Sequence, residues 1–167
     1  HDPVYKVSIL PRGRALGVTM YLPEEDKYSM SYNEAYSQIC SLYAGRIAEQ
    51  MTLKEGGVTT GASNDIERAT EMAFNMVARW GYSEALGARL YAVKEGGQGF
   101  SGNLQRPISE QTQDLIDQEV ARITNECYEQ AKKILNTKRQ ELDIMAQALM
   151  DYETIDRSQI ETIMKHQ

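Results

Sequence analysis

From Ser109 onward, Ile116, Val120, Ile123, Cys127, Ala131 and Ile134 follow one another at intervals of three and four residues. Intervals of three and four keep returning to one face of an α-helix, and here they persist for about five turns. A helix of that length buries its apolar stripe only by lying lengthwise on a partner helix. The chain is therefore expected to be mainly α.

The rest of the chain supplies partners for that helix. Ser31 stands three residues before Glu34, a capping-box pair that starts a helix continued by Ala35, Ile39, Leu42 and Tyr43 and closed by Gly56-Gly57. Ile66, Ala69, Ala73, Met76, Val77 and Trp80 fall on one face of a second helix that stops at Gly81. Beyond a turn at Asn136-Thr137, Leu142, Met145, Ala146, Leu149 and Met150 mark another helix. A last one opens with the Asp156/Gln159 capping box, with Ile155 placed to staple onto Ile160. Strand-like alternation is confined to the start: residues 4–10 and 17–22, joined by PRGRAL, read as a small antiparallel β element within 4–22. Glycine and serine crowd residues 95–108, a flexible loop before the C-terminal helices of 109–167.

With 167 residues, 41% of them hydrophobic, the chain suits a single domain, 1–167. A net charge of -6 leaves no broad basic face, which sets nucleic acid aside as a partner. Two cysteines at apolar helix positions, Cys40 and Cys127, read as buried free thiols in a reducing compartment. No apolar run is long enough to cross a bilayer, so the segment itself reads as soluble. It opens on His1 directly before a strand pattern, and is expected to be a piece of a longer protein.

Chemistry is sparse on this inventory. The only histidines, His1 and His166, lie at opposite ends and read as exposed terminal residues. There is no G-x-S-x-G and no interior histidine to act as a base for serine or cysteine, so a hydrolase built on such a pair is set aside. The glycine-rich loop lacks the Lys-Ser/Thr of a phosphate loop. Among the acids, Asp65 sits in TTGASNDIERAT, at the start of a helix. A helix dipole alone favours an acid there, yet Thr59, Thr60, Ser63 and Asn64 already offer caps, and Gly61 and Ala62 leave room for close approach. The residues thus leave Asp65 open between a helix-start acid and a site.

The succession HDPVYKVSILPRGRALGVTMYLPEED, SLYAGRIAE, VTTGASNDIERAT, MVARWGYSEALG and YETID spans the chain in order. It resembles the protease domain of FtsH-type ATP-dependent zinc metalloproteases. The resemblance implies a mainly α, helical zinc metalloprotease domain with a small antiparallel β element near the N-terminus. It implies Zn2+ as cofactor and an AAA ATPase module of the same chain that uses ATP. It further implies a membrane anchor, a homo-hexamer at the cytoplasmic face of the bacterial inner membrane, and unfolded or membrane polypeptides as substrates.

In that family, zinc is held by two histidines of an HExxH helix and by the aspartate that matches Asp65. No HExxH occurs in this sequence; the resemblance places it just before His1, which is not itself a ligand. The catalytic glutamate is absent with it, and the chain alone is expected to be inactive. Glu49, in the GRIAE block, is expected either to brace a ligand histidine by a hydrogen bond or to pair with Arg46 or Arg68. Asn64 and Thr60 are expected either to support Asp65 or simply to cap the helix. Glu67 is expected to face solvent. Gly17, Val18, Thr19 and Met20 form the candidate substrate strand, because zinc proteases commonly take peptide as an added strand. The alternative to an enzyme is a non-catalytic homologue, or a module whose helices serve oligomerisation.

Overall fold

The computed structural model describes residues 3–11, 13, 17–22, 29–53, 57–91 and 108–165. Residues 95–107 of the glycine-rich loop, together with His1 and His166, lie outside that set. In chain order come β1 (Val4–Ser8), β2 (Val18–Tyr21), α1 (Tyr32–Thr52), a 3-10 turn (Thr60–Ala62), α2 (Ser63–Ala78), α3 (Glu110–Thr137), α4 (Arg139–Tyr152), β3 (Thr154–Asp156) and α5 (Arg157–Lys165). The fold is mainly α with a small antiparallel sheet, as the spacing of apolar residues predicts. The chain divides into two compact units, residues 31–133 and residues 1–30 with 134–167.

In the unit of residues 31–133, α1 opens on a complete capping box. The Ser31 hydroxyl accepts from the Glu34 N–H at 3.3 Å, while the Ser31 N–H donates to Glu34 Oε2 at 2.8 Å. These bonds satisfy backbone donors that the first turn would otherwise leave open. Ala35, Ile39 and Ile47 of α1 are buried, as are Ala69, Ala73, Met76 and Val77 of α2. Alanines on both faces let the two backbones approach closely, and the larger Ile and Met side chains fill the gaps between them. The α2 stripe is narrower than its spacing suggests: Ile66 is 39% exposed and Trp80, just past the helix, is 42% exposed. Gly81 then takes a left-handed turn at φ 69°, where an added Cβ would stand 2.9 Å from the Ala88 backbone. On α3, Ile116, Ile123, Cys127 and Ala131 form the buried stripe. Tyr128 of α3 meets Tyr43 of α1 edge to face, with ring centroids 5.6 Å apart.

The unit of residues 1–30 and 134–167 is built on three strands in the order β2-β1-β3, both pairings antiparallel. The alternation near the start finds β1 and β2, but β3 comes from the far end of the sequence, in YETID. Its two flanks show why. Glu153 caps α4 in the left-handed region at φ 60°, which turns the chain back. Ile155 then inserts into the core at 1% exposure, opposite Val7. Asp156 completes the unit by capping α5: its Oδ1 accepts from the Gln159 N–H at 3.0 Å, and its own N–H donates to Gln159 Oε1 at 2.9 Å. Among the described residues, no helix is long and apolar enough to cross a membrane.

Candidate metal centre

The segment before α2 is shaped from outside by two side chains of α1. Arg46 and Glu49 are three residues apart and so share a helix face. Glu49 accepts from the Thr59 N–H through Oε2 at 3.0 Å and from the Thr59 hydroxyl through Oε1 at 3.0 Å. Arg46 donates from Nη1 to the Thr59 carbonyl at 3.0 Å. One residue is thereby held at its donor, its acceptor and its side chain at once.

Thr59 passes this restraint on. Its Oγ1 accepts from the Gly61 N–H at 3.1 Å and caps the 3-10 turn. A Cβ on Gly61 would lie 3.1 Å from Thr59 Oγ1 and 3.7 Å from Glu49 Oε1, so a glycine leaves the grip uncrowded. Ala62 is buried at 6% exposure, and the Ser63 hydroxyl donates to the Thr60 carbonyl at 2.6 Å. The small residues of TTGA admit another segment of this chain, α1 with its Glu49, close to the backbone.

Asp65 follows in the first turn of α2, half-buried, where the helix dipole favours a negative charge. Among the described residues no hydrogen bond is made to its carboxylate. Thr60 and Asn64 are exposed beside it, and Glu67 is exposed as its position suggests. Among the described residues no three of His, Cys, Asp and Glu gather closely enough to hold a metal ion. Asp65 is thus a single anionic oxygen donor, which suits a divalent cation only together with ligands from elsewhere.

Both Glu49 oxygens accept from Thr59, and among the described residues no ion pair joins Glu49 to Arg46 or Arg68. The grip on Thr59 was missed by sequence reasoning, although a signal existed. An acid and a base three apart on one helix face, ahead of a hydroxyl-rich turn, is the pattern expected for side chains that hold a neighbouring backbone. Gly17, Val18, Thr19 and Met20 belong to the other unit, where β2 is an edge strand of the sheet. Gly17 sits against β1 so closely that an added Cβ would be 2.9 Å from the Ser8 carbonyl oxygen.

The model of peptidase family M41 matches residues 1–163. The chain belongs to peptidase family M41. Relatives named ATP-dependent zinc metalloprotease FtsH agree along the whole sequence. The one from Photobacterium profundum is 50% identical over 98% of this chain and 24% of its own length. That from Buchnera aphidicola subsp. Acyrthosiphon pisum is 48% identical over 99% of this chain and 27% of its own. That from Haemophilus influenzae is 47% identical over 100% of this chain and 27% of its own. The M41 chain described here thus spans about a quarter of the length of the curated relatives it matches.

Proposed function

We propose that this chain is the protease domain of a membrane-anchored, ATP-dependent zinc metalloendopeptidase, in which Asp65 is one protein ligand of the zinc. The observation that carries the reading is the half-buried Asp65 carboxylate, free of hydrogen bonds among the described residues, on a turn fixed by Arg46 and Glu49. A ligand held on a restrained turn loses little freedom when it binds, which favours affinity and fixes geometry. Zinc, when bound, polarises a scissile carbonyl and lowers the pKa of its water to about 7. The other ligands come from an HExxH helix, which this sequence does not contain.

Within this scheme Glu49 acts through Thr59, and Thr60 and Asn64 flank Asp65 as supporting groups. Gly17, Val18, Thr19 and Met20 take extended polypeptide by main-chain hydrogen bonds, a mode with little sequence preference that suits degradation of unfolded or membrane proteins. The exposed edge position of β2, with Met20 40% and Tyr21 51% exposed, supports that role. Assembly as a homo-hexamer, at the cytoplasmic face of the bacterial inner membrane, is part of this reading and rests on the likeness to the FtsH relatives. ATP is consumed by a separate AAA module of the same protein.

The test is metal analysis and hydrolysis of an unfolded casein-like substrate by the full-length protein and its Asp65→Ala variant. Loss of zinc and of hydrolysis together, with helical content retained, is the expected result. Full zinc and full activity in the variant would remove Asp65 from the site. The 167-residue chain by itself should neither bind zinc tightly nor cleave the substrate.

A further inference from the structure

Cys40 and Cys127 are 87 positions apart in sequence and both lie buried in the same unit. Cys127, on α3, is 0% exposed, and Cys40, on α1, is 9% exposed; both are free thiols. The Cys127 thiol donates to the Tyr36 carbonyl of α1 at 3.6 Å. Cys40 lies four residues after Tyr36, and a helical side chain leans back over the turn that precedes it. The two sulfurs therefore approach the same stretch of α1 backbone.

We propose that Cys40 and Cys127 are an oxidation site, closing a reversible disulfide between α1 and α3 when hydrogen peroxide reaches the protein. Cys40 reacts first, since it alone of the pair keeps an exposed edge. Its thiolate attacks one peroxide oxygen, the O–O bond breaks, and the departing hydroxide takes up the proton that Cys40 released. Cys40 is then a sulfenic acid. The Cys127 sulfur attacks that sulfur, the S–O bond breaks, and water leaves with the Cys127 proton. Two thiols and one peroxide become a disulfide and two waters.

The surroundings fit this division of roles. The neighbouring Cys127 side chain holds the Cys40 thiol below its ordinary pKa, while Cys40 and burial push Cys127 up. Burial also pushes the Tyr36 phenol up to about 12, the mark of a poorly solvated pocket. A sulfenic acid formed there has a neighbouring thiol and little water, conditions that favour the disulfide over further oxidation. The closed loop would enclose both Thr59 and Asp65. Cross-linking a loop of that length restricts the unfolded chain strongly and stabilises the folded one.

The experiment treats the full-length protein with hydrogen peroxide, unfolds it in an alkylating reagent and maps the digested peptides by mass. The expected product is one linked pair of peptides carrying Cys40 and Cys127, lighter by two hydrogens and separated again by dithiothreitol. A higher thermal midpoint should accompany it. Both cysteines alkylated in full after peroxide, or Cys40 carried to sulfinic acid beside a free Cys127, would overturn the proposal. In Cys127→Ala, a sulfenic acid at Cys40 should be trapped by dimedone and the midpoint should not rise. A rise in that variant equal to wild type would also overturn it.

Discussion

Two turns of this molecule lead into helices and are held in opposite ways. Thr59–Asp65 is exposed along most of its length and is gripped by charged side chains of another helix, Arg46 and Glu49. Glu153–Asp156 is held from beneath: Ile155 is buried, the Glu153 carbonyl accepts from Ile9 N–H at 2.9 Å, and the Thr154 hydroxyl donates to Ser8 Oγ at 2.8 Å. Side-chain grips on an exposed turn fix geometry while leaving the turn open to a ligand. A buried apolar anchor fixes geometry from within, through Ile155, while Glu153 and Asp156 stay exposed.

The contrast is sharpest in its central residues. Asp65→Ala should lower the hydrolytic rate of the full-length protein by more than about 100-fold, beyond the loss usual for residues that only support a ligand. Its urea midpoint should stay close to wild type. Ile155→Ala should do the reverse, costing about 2–5 kcal/mol in urea unfolding through lost burial and the cavity left behind. If Asp65→Ala destabilised as much as Ile155→Ala, the separation of a side-chain-gripped turn from a core-anchored one would fail.

Smaller changes probe the grip itself. Glu49→Ala removes two hydrogen bonds to a charged acceptor at a half-exposed position, and should cost about 1–2 kcal/mol. Zinc affinity in the full-length protein should fall by about 10-fold, because the turn that carries Asp65 is no longer fixed. Unchanged zinc affinity would confine Glu49 to stability. Ser31→Ala, at the opposite end of α1 from Glu49, should cost about 1 kcal/mol of stability through the lost cap and leave zinc affinity untouched.

The smallest effect concerns another polar grip, on the loop after α2. The Ser83 hydroxyl donates to Glu119 Oε2 at 2.7 Å, and Arg122 donates to both Glu119 oxygens at 2.8 and 3.0 Å. The Arg122 hydrogen bonds hold the Glu119 carboxyl below its usual 4.5, aided by Ser83. A carboxyl depressed in the folded state adds stability above its unfolded pKa and loses it as pH falls through the folded one. Stability should therefore fall more steeply below pH 4.5 in wild type than in Glu119→Gln, as urea midpoints across that range would show. Parallel slopes would mean that this grip contributes nothing to folding.

The helices were legible in the sequence because each announces itself locally. The Ser31/Glu34 and Asp156/Gln159 boxes fall where the capping bonds form, and of the expected α3 stripe Ile116, Ile123, Cys127 and Ala131 are buried, while Val120 is half-buried and Ile134 is 49% exposed. The third strand was not legible, because three residues are too short for a periodic signal and their partner is about 150 positions away. Asp65 is a weak signal for the same kind of reason, since a helix dipole accounts for an acid at that position without any ligand. The block-by-block resemblance along the chain is what raises it to a candidate.

By itself, then, the sequence determined the helical character of the chain, the helix starts and the membership of a family, because caps, spacing and motif order are local or linear properties. Only the tertiary structure decided that Arg46 and Glu49 clasp Thr59, that Cys127 reaches the Tyr36 carbonyl one turn before Cys40, and that YETID joins a sheet begun at Val4. Those pairings join residues from 10 to about 150 positions apart. Nothing in the local pattern ranks one distant partner over another; burial and hydrogen-bond satisfaction do so once the helices have packed.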